Sequence, residues 1–373
     1  MAGIYIHIPF CKTRCNYCDF FKSTNVSLTG QFLKELSREL KKRKNFFEGD
    51  EKVDTIYFGG GTPSLLTPAG IYNILEIISQ EYHLNHRPEI SLEANPDDLT
   101  PEYLQEVQNA GINRLSIGVQ SFHDVDLQKM GRRHSAKQSH QVLKDAFSAG
   151  FDNIGIDLIY GLPWSSPDQL KENLQMLGEY PVKHLSAYHL TIEPNTFFGR
   201  EKSENKLSEL TDTESEKLFN ILREETSNQG FYHYEISNFC KDGWYSKHNT
   251  AYWNGKSYLG VGPGAHSYNG KQRFINLPDI HQYIHTGYEA GISSETLREK
   301  DHFNETLMLG LRTRRGIHIE KLRDQYPDTF KNIEPQLKKW IQQGFLTWEN
   351  DRVFSTDKGW FVIDGIIEDL FIL

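Results

Sequence analysis

Gly3-Ile-Tyr-Ile-His-Ile-Pro-Phe-Cys11-Lys-Thr-Arg-Cys15-Asn-Tyr-Cys18 runs a short apolar strand straight into three thiols at CxxxCxxC spacing, and the whole chain of 373 residues holds only four cysteines. Thiolates are soft ligands and a closed site normally wants four, so a tight trio points to a cube of iron and sulfide with one iron left uncovered. A structural zinc would need a fourth ligand, but no second cysteine pair exists, no histidine follows Cys18 until His83, and His7 lies inside the preceding strand. A disulfide frame belongs to small secreted domains and suits neither this length nor an odd local set.

Outward from that loop, Phe32, Leu33, Leu36 and Leu40 share one face of a helix expected near 31–43, which closes a strand-loop-helix unit. The unit recurs. Strand 53–58 leads through Gly59-Gly60-Gly61-Thr62-Pro63 to a helix capped by Thr67-Pro68, and strand 89–94 leads to a helix capped by Thr100-Pro101. Strands 114–119, 152–159 and 184–190 complete six, with a capping box at Ser166 and Gln169 before one intervening helix. Such alternation predicts parallel strands in an open doubly wound sheet or a partly closed barrel, with the site at the C-terminal strand ends in either case. The expected organisation is an α/β unit over 1–200, a β-rich extension over 201–300 and a C-terminal module over 301–373. In that module, helices near 304–311, 317–325 and 333–343 precede a hairpin around Asn350-Asp351, a winged-helix-like pattern.

Hydrophobic residues at 38% and charged residues at 24% are ordinary for a soluble protein, and no apolar run is long enough to cross a bilayer. A cytoplasmic location is expected. The net charge of -9 argues against nucleic acid as a partner, and the basic groups Lys41–Lys44 and Arg312–Arg315 read as solvated helix ends.

The glycine turn after the second strand lets backbone approach a ligand closely. Glu93, Gln120, Arg132 and Asp157 follow in order near strand ends, plausible donors and acceptors at the mouth of the sheet for a polar cofactor, though each singly also reads as a satisfied structural residue. The CxxxCxxC loop after YIHIPF, the GGGTP turn and these ordered polar residues resemble the radical S-adenosylmethionine (SAM) family, in the branch of oxygen-independent coproporphyrinogen oxidases and haem chaperones, from Ile4 to the C-terminus. The resemblance implies a partial (β/α)6 barrel with a C-terminal α+β extension. It implies that Cys11, Cys15 and Cys18 hold a [4Fe-4S] cluster, that SAM chelates the fourth iron, and that Tyr5, Tyr17, Gly60, Gly61, Thr62, Glu93, Gln120, Arg132 and Asp157 contact SAM. Electron transfer from the cluster would then cleave the sulfonium to methionine and a 5′-deoxyadenosyl radical. No catalytic residue is singled out.

Oxidases of this branch carry a further cysteine two positions after the third, where this chain has Phe20, and a long N-terminal extension, whereas Tyr5 here lies almost at the start. Both departures favour haem handling over porphyrinogen decarboxylation. His248-Asn249-Thr-Ala-Tyr252-Trp253 matches the HNxxYW motif of the chaperones, implying haem binding at His248, Asn249, Tyr252 and Trp253. A neutral imidazole suits haem iron, while the residues alone read equally as a loop histidine among core aromatics. His266, after a glycine run, is a second candidate, and Cys240 reads as a small buried hydrophobe. The partners implied are haem, an acceptor protein such as a membrane-associated respiratory protein, and a reductant protein for the cluster; monomer and homodimer stay open, as does a peripheral place at the membrane.

Overall fold

The computed structural model of the chain describes residues 2–372. Strand β1 (Ala2–Ile8) shows why the fold forms: Ile4, Ile6 and Ile8 face an apolar cluster shared with Phe32, Leu36 and Leu40 of the Thr29–Lys42 helix, while Tyr5 and His7 turn to the opposite face. The same period of two governs β2 (Val53–Gly60), β3 (Leu84–Ala94), β4 (Arg114–Gln120), β5 (Ile154–Tyr160) and β6 (His184–His189). In β4 it puts Leu115, Ile117 and Val119 outward against Ser116, Gly118 and Gln120 inward. An inner face of polar and small residues marks a sheet curled around a ligand space rather than one covered by helices on both sides.

Strands β1 to β6 pair in sequence order, all parallel, as the alternation predicts. The intervening helices carry the caps read from sequence. Thr67 accepts from Gly70 N and Thr100 from Tyr103 N, and a capping box is closed by Ser166 and Gln169. A further box at Ser135 and Gln138 opens the Ala136–Ser148 helix.

Residues 201–300 do not build a sheet of their own. After a helix capped by Thr211 and Glu214, β7 (Tyr232–Glu235) and β8 (Asn238–Cys240) add antiparallel strands beyond β6. The chain then crosses to the opposite edge, where β9 (Tyr258–Val261) pairs parallel with β1 and is followed outward by β10 (His266–Tyr268), β11 (Gln272–Asn276) and β12 (Ile292–Thr296). Among the described residues the result is one twelve-stranded sheet.

The C-terminal part has a separate apolar cluster that includes Phe303, Leu307, Ile319, Leu337 and Ile366. Helices Glu299–Leu311, Ile319–Gln325, Pro327–Gln342 and Ile363–Leu370 surround a small sheet of β13 (Ile317–His318), β14 (Leu346–Glu349) and β15 (Arg352–Ser355). Asn350 and Asp351 both take positive φ, 47° and 66°, as a two-residue hairpin turn requires.

Lys41, Lys42 and Lys44 are exposed at the end of the Thr29–Lys42 helix, as the sequence reading has them, while the arginines depart from it. Arg43 is buried, donating to Glu39 at 3.1 Å, Gly260 O at 2.9 Å and Ser267 Oγ at 3.0 Å. Arg314 and Arg315 donate to His233 O at 3.3 Å and Trp253 O at 2.9 Å, so they dock the C-terminal part on the sheet rather than solvate a helix end. No described helix is long and apolar enough to cross a membrane.

Candidate cluster and cofactor site

The C-terminal ends of β1 to β6 open on a cavity of about 420 Å³ whose lining includes Cys11, Cys15 and Cys18 together with the Gly60-Gly61-Thr62 turn. Tyr17 of the same loop lines this space, with Glu93, Gln120, Arg132 and Asp157 gathered from four further segments of the chain. Tyr5 is absent from this lining, against expectation. Its hydroxyl meets His7 Nδ1 at 3.2 Å and its ring lies 6.1 Å from that of Tyr57, in an aromatic layer behind the cavity wall.

The surroundings of the thiols fit thiolate ligands. Thr62 Oγ1 donates to Cys11 Sγ at 3.4 Å and Arg132 Nη1 to Cys15 Sγ at 3.6 Å. Burial pushes the Cys11 thiol above its ordinary range, so a thiolate there needs a neighbouring cation such as iron. Arg132 is fixed by Asn95 Oδ1 at 2.7 Å and Gly118 O at 2.8 Å, while its buried Nε has no partner among the described residues, a donor left for a ligand. The turn must be glycine: a Cβ on Gly60, at φ 108°, would sit 2.6 Å from the His7 ring, and one on Gly61 would sit 2.7 Å from Phe10 O.

Two carboxylates, Glu93 near the end of β3 and Asp157 within β5, line the same cavity as the guanidinium. Glu93 accepts from Tyr57 Oη at 2.8 Å and Gly60 N at 3.1 Å, and burial, with the charge of Asp157 second, pushes its pKa up to about 7. Burial also raises Asp157, opposed by hydrogen bonds from Ser186 and Ser116. Gln120 ends β4 at φ 65°, a left-handed conformation that turns the chain at the cavity edge. A half-buried pair of acids sharing a cavity with an arginine matches a zwitterion that also carries a cationic sulfonium. The supporting residues Tyr57, Asn95, Ser116 and Ser186 went unread; inward parity with Glu93 and Asp157 on paired strands could have exposed the two serines.

The HNxxYW segment forms the Lys247–Trp253 helix, capped by Ser246. His248 is buried, with Nδ1 at 2.7 Å from Thr55 Oγ1, Nε2 at 2.9 Å from Tyr252 Oη and its ring stacked 4.9 Å from Tyr57. Burial, then the charge of Arg114, lowers its pKa to about 3, so the ring is neutral. Both ring nitrogens are engaged within the chain in this structure. Tyr252 packs edge-on against Tyr258 at 4.5 Å, and Trp253 offers its carbonyl to Arg315. Cys240 is buried in β8, its thiol pushed up to about 12 by burial, and His266 is exposed on β10.

The Radical SAM superfamily matches residues 5–177 and the HemN C-terminal domain residues 297–362. Coproporphyrinogen III oxidase (HemN) from Escherichia coli, a radical SAM enzyme, shares the fold with a TM-score of 0.84 at 23% identity, covering 99% of this chain and 90% of that one. Fold and site therefore define a radical SAM protein, a class that carries a [4Fe-4S] cluster and SAM. Heme chaperone HemW from Lactococcus lactis is 34% identical over 366 residues, 98% of this chain and 96% of that protein, and HemW from Bacillus subtilis is 33% identical over 365 residues, 96% of each. The chain belongs to the HemW family.

Proposed function

We propose that this protein binds haem and passes it to an acceptor protein, with a [4Fe-4S] cluster on Cys11, Cys15 and Cys18 and SAM in the adjoining cavity. The observation that carries the haem reading is end-to-end similarity to proteins named haem chaperones. When bound, cluster and SAM together supply one-electron reductive cleavage of a sulfonium. The chain's own part is to bind and orient: Arg132 to face a carboxylate, Glu93 and Asp157 to face cationic groups, Thr62 and Arg132 to hold the thiolates, and the inner wall to limit water.

The test is anaerobic reconstitution with iron and sulfide, followed by haem titration and mixing with a haem-free acceptor. About four iron and four sulfide per chain, a new Soret band and transfer of that band to the acceptor are expected; no uptake of haem sinks the proposal. The fold shared with HemN favours one rival, oxidation of a porphyrinogen. Vinyl product from coproporphyrinogen with reductant and SAM would establish it.

A further inference from the structure

Haem carries two carboxylates as propionates, and a seat for it must answer their charge. Where the Lys247–Trp253 helix ends against the C-terminal part, two guanidiniums come together. Arg315 donates to Trp253 O at 2.9 Å and to Asn254, and Arg352 of β15 donates to Arg315 O at 3.0 Å. We infer that Arg315 and Arg352 receive the propionates of haem lying on the outward face of this helix. The inference rests on the haem-binding reading above and gives the C-terminal part a share in its site.

Three observations carry it. First, the pair lacks a counter-ion. Neighbouring Arg312 and Arg314 pair with Asp364 and Asp357, whereas no carboxylate among the described residues lies within ion-pair distance of Arg315 or Arg352. Asp351, next to Arg352 in sequence, is taken up by His318 Nδ1 at 2.7 Å and Glu320 N at 2.9 Å. Glu349 stands opposite Arg352 in the hairpin register, exposed and beyond that distance. Burial, then the charge of Arg352, lowers the pKa of Arg315, so each cation feels the other. A ligand with two carboxylates turns that repulsion into attraction. Second, both forks keep donors to spare. Arg315 spends one N–H on each of its two contacts and Arg352 one on its single contact, and a free guanidinium edge matches carboxylate oxygens in pairs. Third, apolar rings border the cations. Trp253 is half-buried and shares with Asn249 the helix face turned away from buried His248 and Ala251. Phe354, also half-buried, lies on the same face of β15 as Arg352. Gly316, beside Arg315 and at φ 67°, passes so close that a Cβ there would sit 2.7 Å from Phe354 Cβ. Rings beside paired cations match a flat apolar body with two anionic arms.

Ferric haem and its dimethyl ester, which keeps iron and ring but caps both carboxylates, are titrated in one detergent buffer into the purified full chain and into Arg352→Gln, Arg352→Lys and Arg298→Ala. Arg352 is varied because Arg315 also clamps the seam, and glutamine keeps a donor for Arg315 O without the charge. In the unaltered chain the ester should bind about tenfold or more weaker than haem. In Arg352→Gln haem should weaken by about fivefold or more while the ester stays within about twofold, with Arg352→Lys between. Arg298→Ala removes the same charge from an exposed pair with Asp301, at the start of the Glu299–Leu311 helix, and should change neither ligand. Equal binding of haem and ester by the unaltered chain, a parallel or absent loss of the two in Arg352→Gln, or an equal loss of haem affinity in Arg298→Ala would overturn this seat and leave the haem-binding reading intact. If the unaltered chain takes up neither ligand, that reading falls and the seat falls with it.

Discussion

At the residue scale the thiol trio was legible because its chemistry is local: spacing alone brings Cys11, Cys15 and Cys18 to one loop, and the structure places all three on one cavity. Glu93 shows the opposite case. Its position near a strand end was readable, but its protonation depends on burial and on Asp157, 64 residues away in sequence and two strands across the sheet. A folded-state pKa of about 7 lies above that of an unfolded glutamate, so Glu93 contributes stability that is full below about pH 4.3 and is lost as the pH rises through 7. For protein without cluster or SAM, urea unfolding between pH 5 and 8.5 should show wild type losing roughly 1–3 kcal/mol more than Glu93→Gln across that window. The slope is the readout, because the glutamine also loses one of the two hydrogen bonds at any pH; equal slopes would show Glu93 ionised throughout. In loaded protein the same proton must leave for a cation to bind, so SAM affinity should rise with pH from 6 to 8.

At the scale of elements, the βα alternation and the caps gave β1 to β6 in order, because hydrophobic period and Ser/Thr caps act within a few residues. What escaped was how the last strands reach the first helix. Glu39, on what reads as an ordinary amphipathic helix, is buried and accepts from Arg43 at 3.1 Å, Gly262 N at 2.9 Å, Asn276 Nδ2 at 2.8 Å and Tyr283 Oη at 2.7 Å. Apart from Arg43, its partners lie more than 200 residues on, where no local pattern points, and they bind the β9–β11 edge to the Thr29–Lys42 helix. Removing one member of such a network strands Arg43 and three donors, so Glu39→Ala should cost about 3–5 kcal/mol in denaturant unfolding. The same helix offers a control: Arg38 and Lys42 pair with Glu289 at 3.1 and 2.6 Å on the surface, and Glu289→Ala should cost less than about 1 kcal/mol. Similar losses in both variants would mean that burial of the Glu39 network does not govern its contribution.

Across the whole molecule, the C-terminal part has its own apolar cluster but shares backbone contacts with the sheet. Ile236 N donates to Arg312 O at 3.0 Å, Arg314 Nε to His233 O at 3.3 Å and Arg315 Nη2 to Trp253 O at 2.9 Å, with Arg315 Nη1 also on Asn254. Charge counting read these arginines as solvated because their partners are carbonyls, which carry no signature in sequence. The consequence is mechanical: the clamp ends on the final turn of the Lys247–Trp253 helix, so docking and the motif's geometry are one property. An Arg314→Ala/Arg315→Ala variant should keep its helical content, since the cluster of Phe303, Leu307 and Ile366 is untouched, yet lose protection at the seam. Hydrogen exchange should then quicken by about tenfold or more in Lys247–Trp253 and Glu299–Leu311, with β2 to β5 unchanged. Uniform quickening through the barrel would instead show one cooperative unit, and no change at the seam would show that the apolar contacts hold the C-terminal part without its arginines.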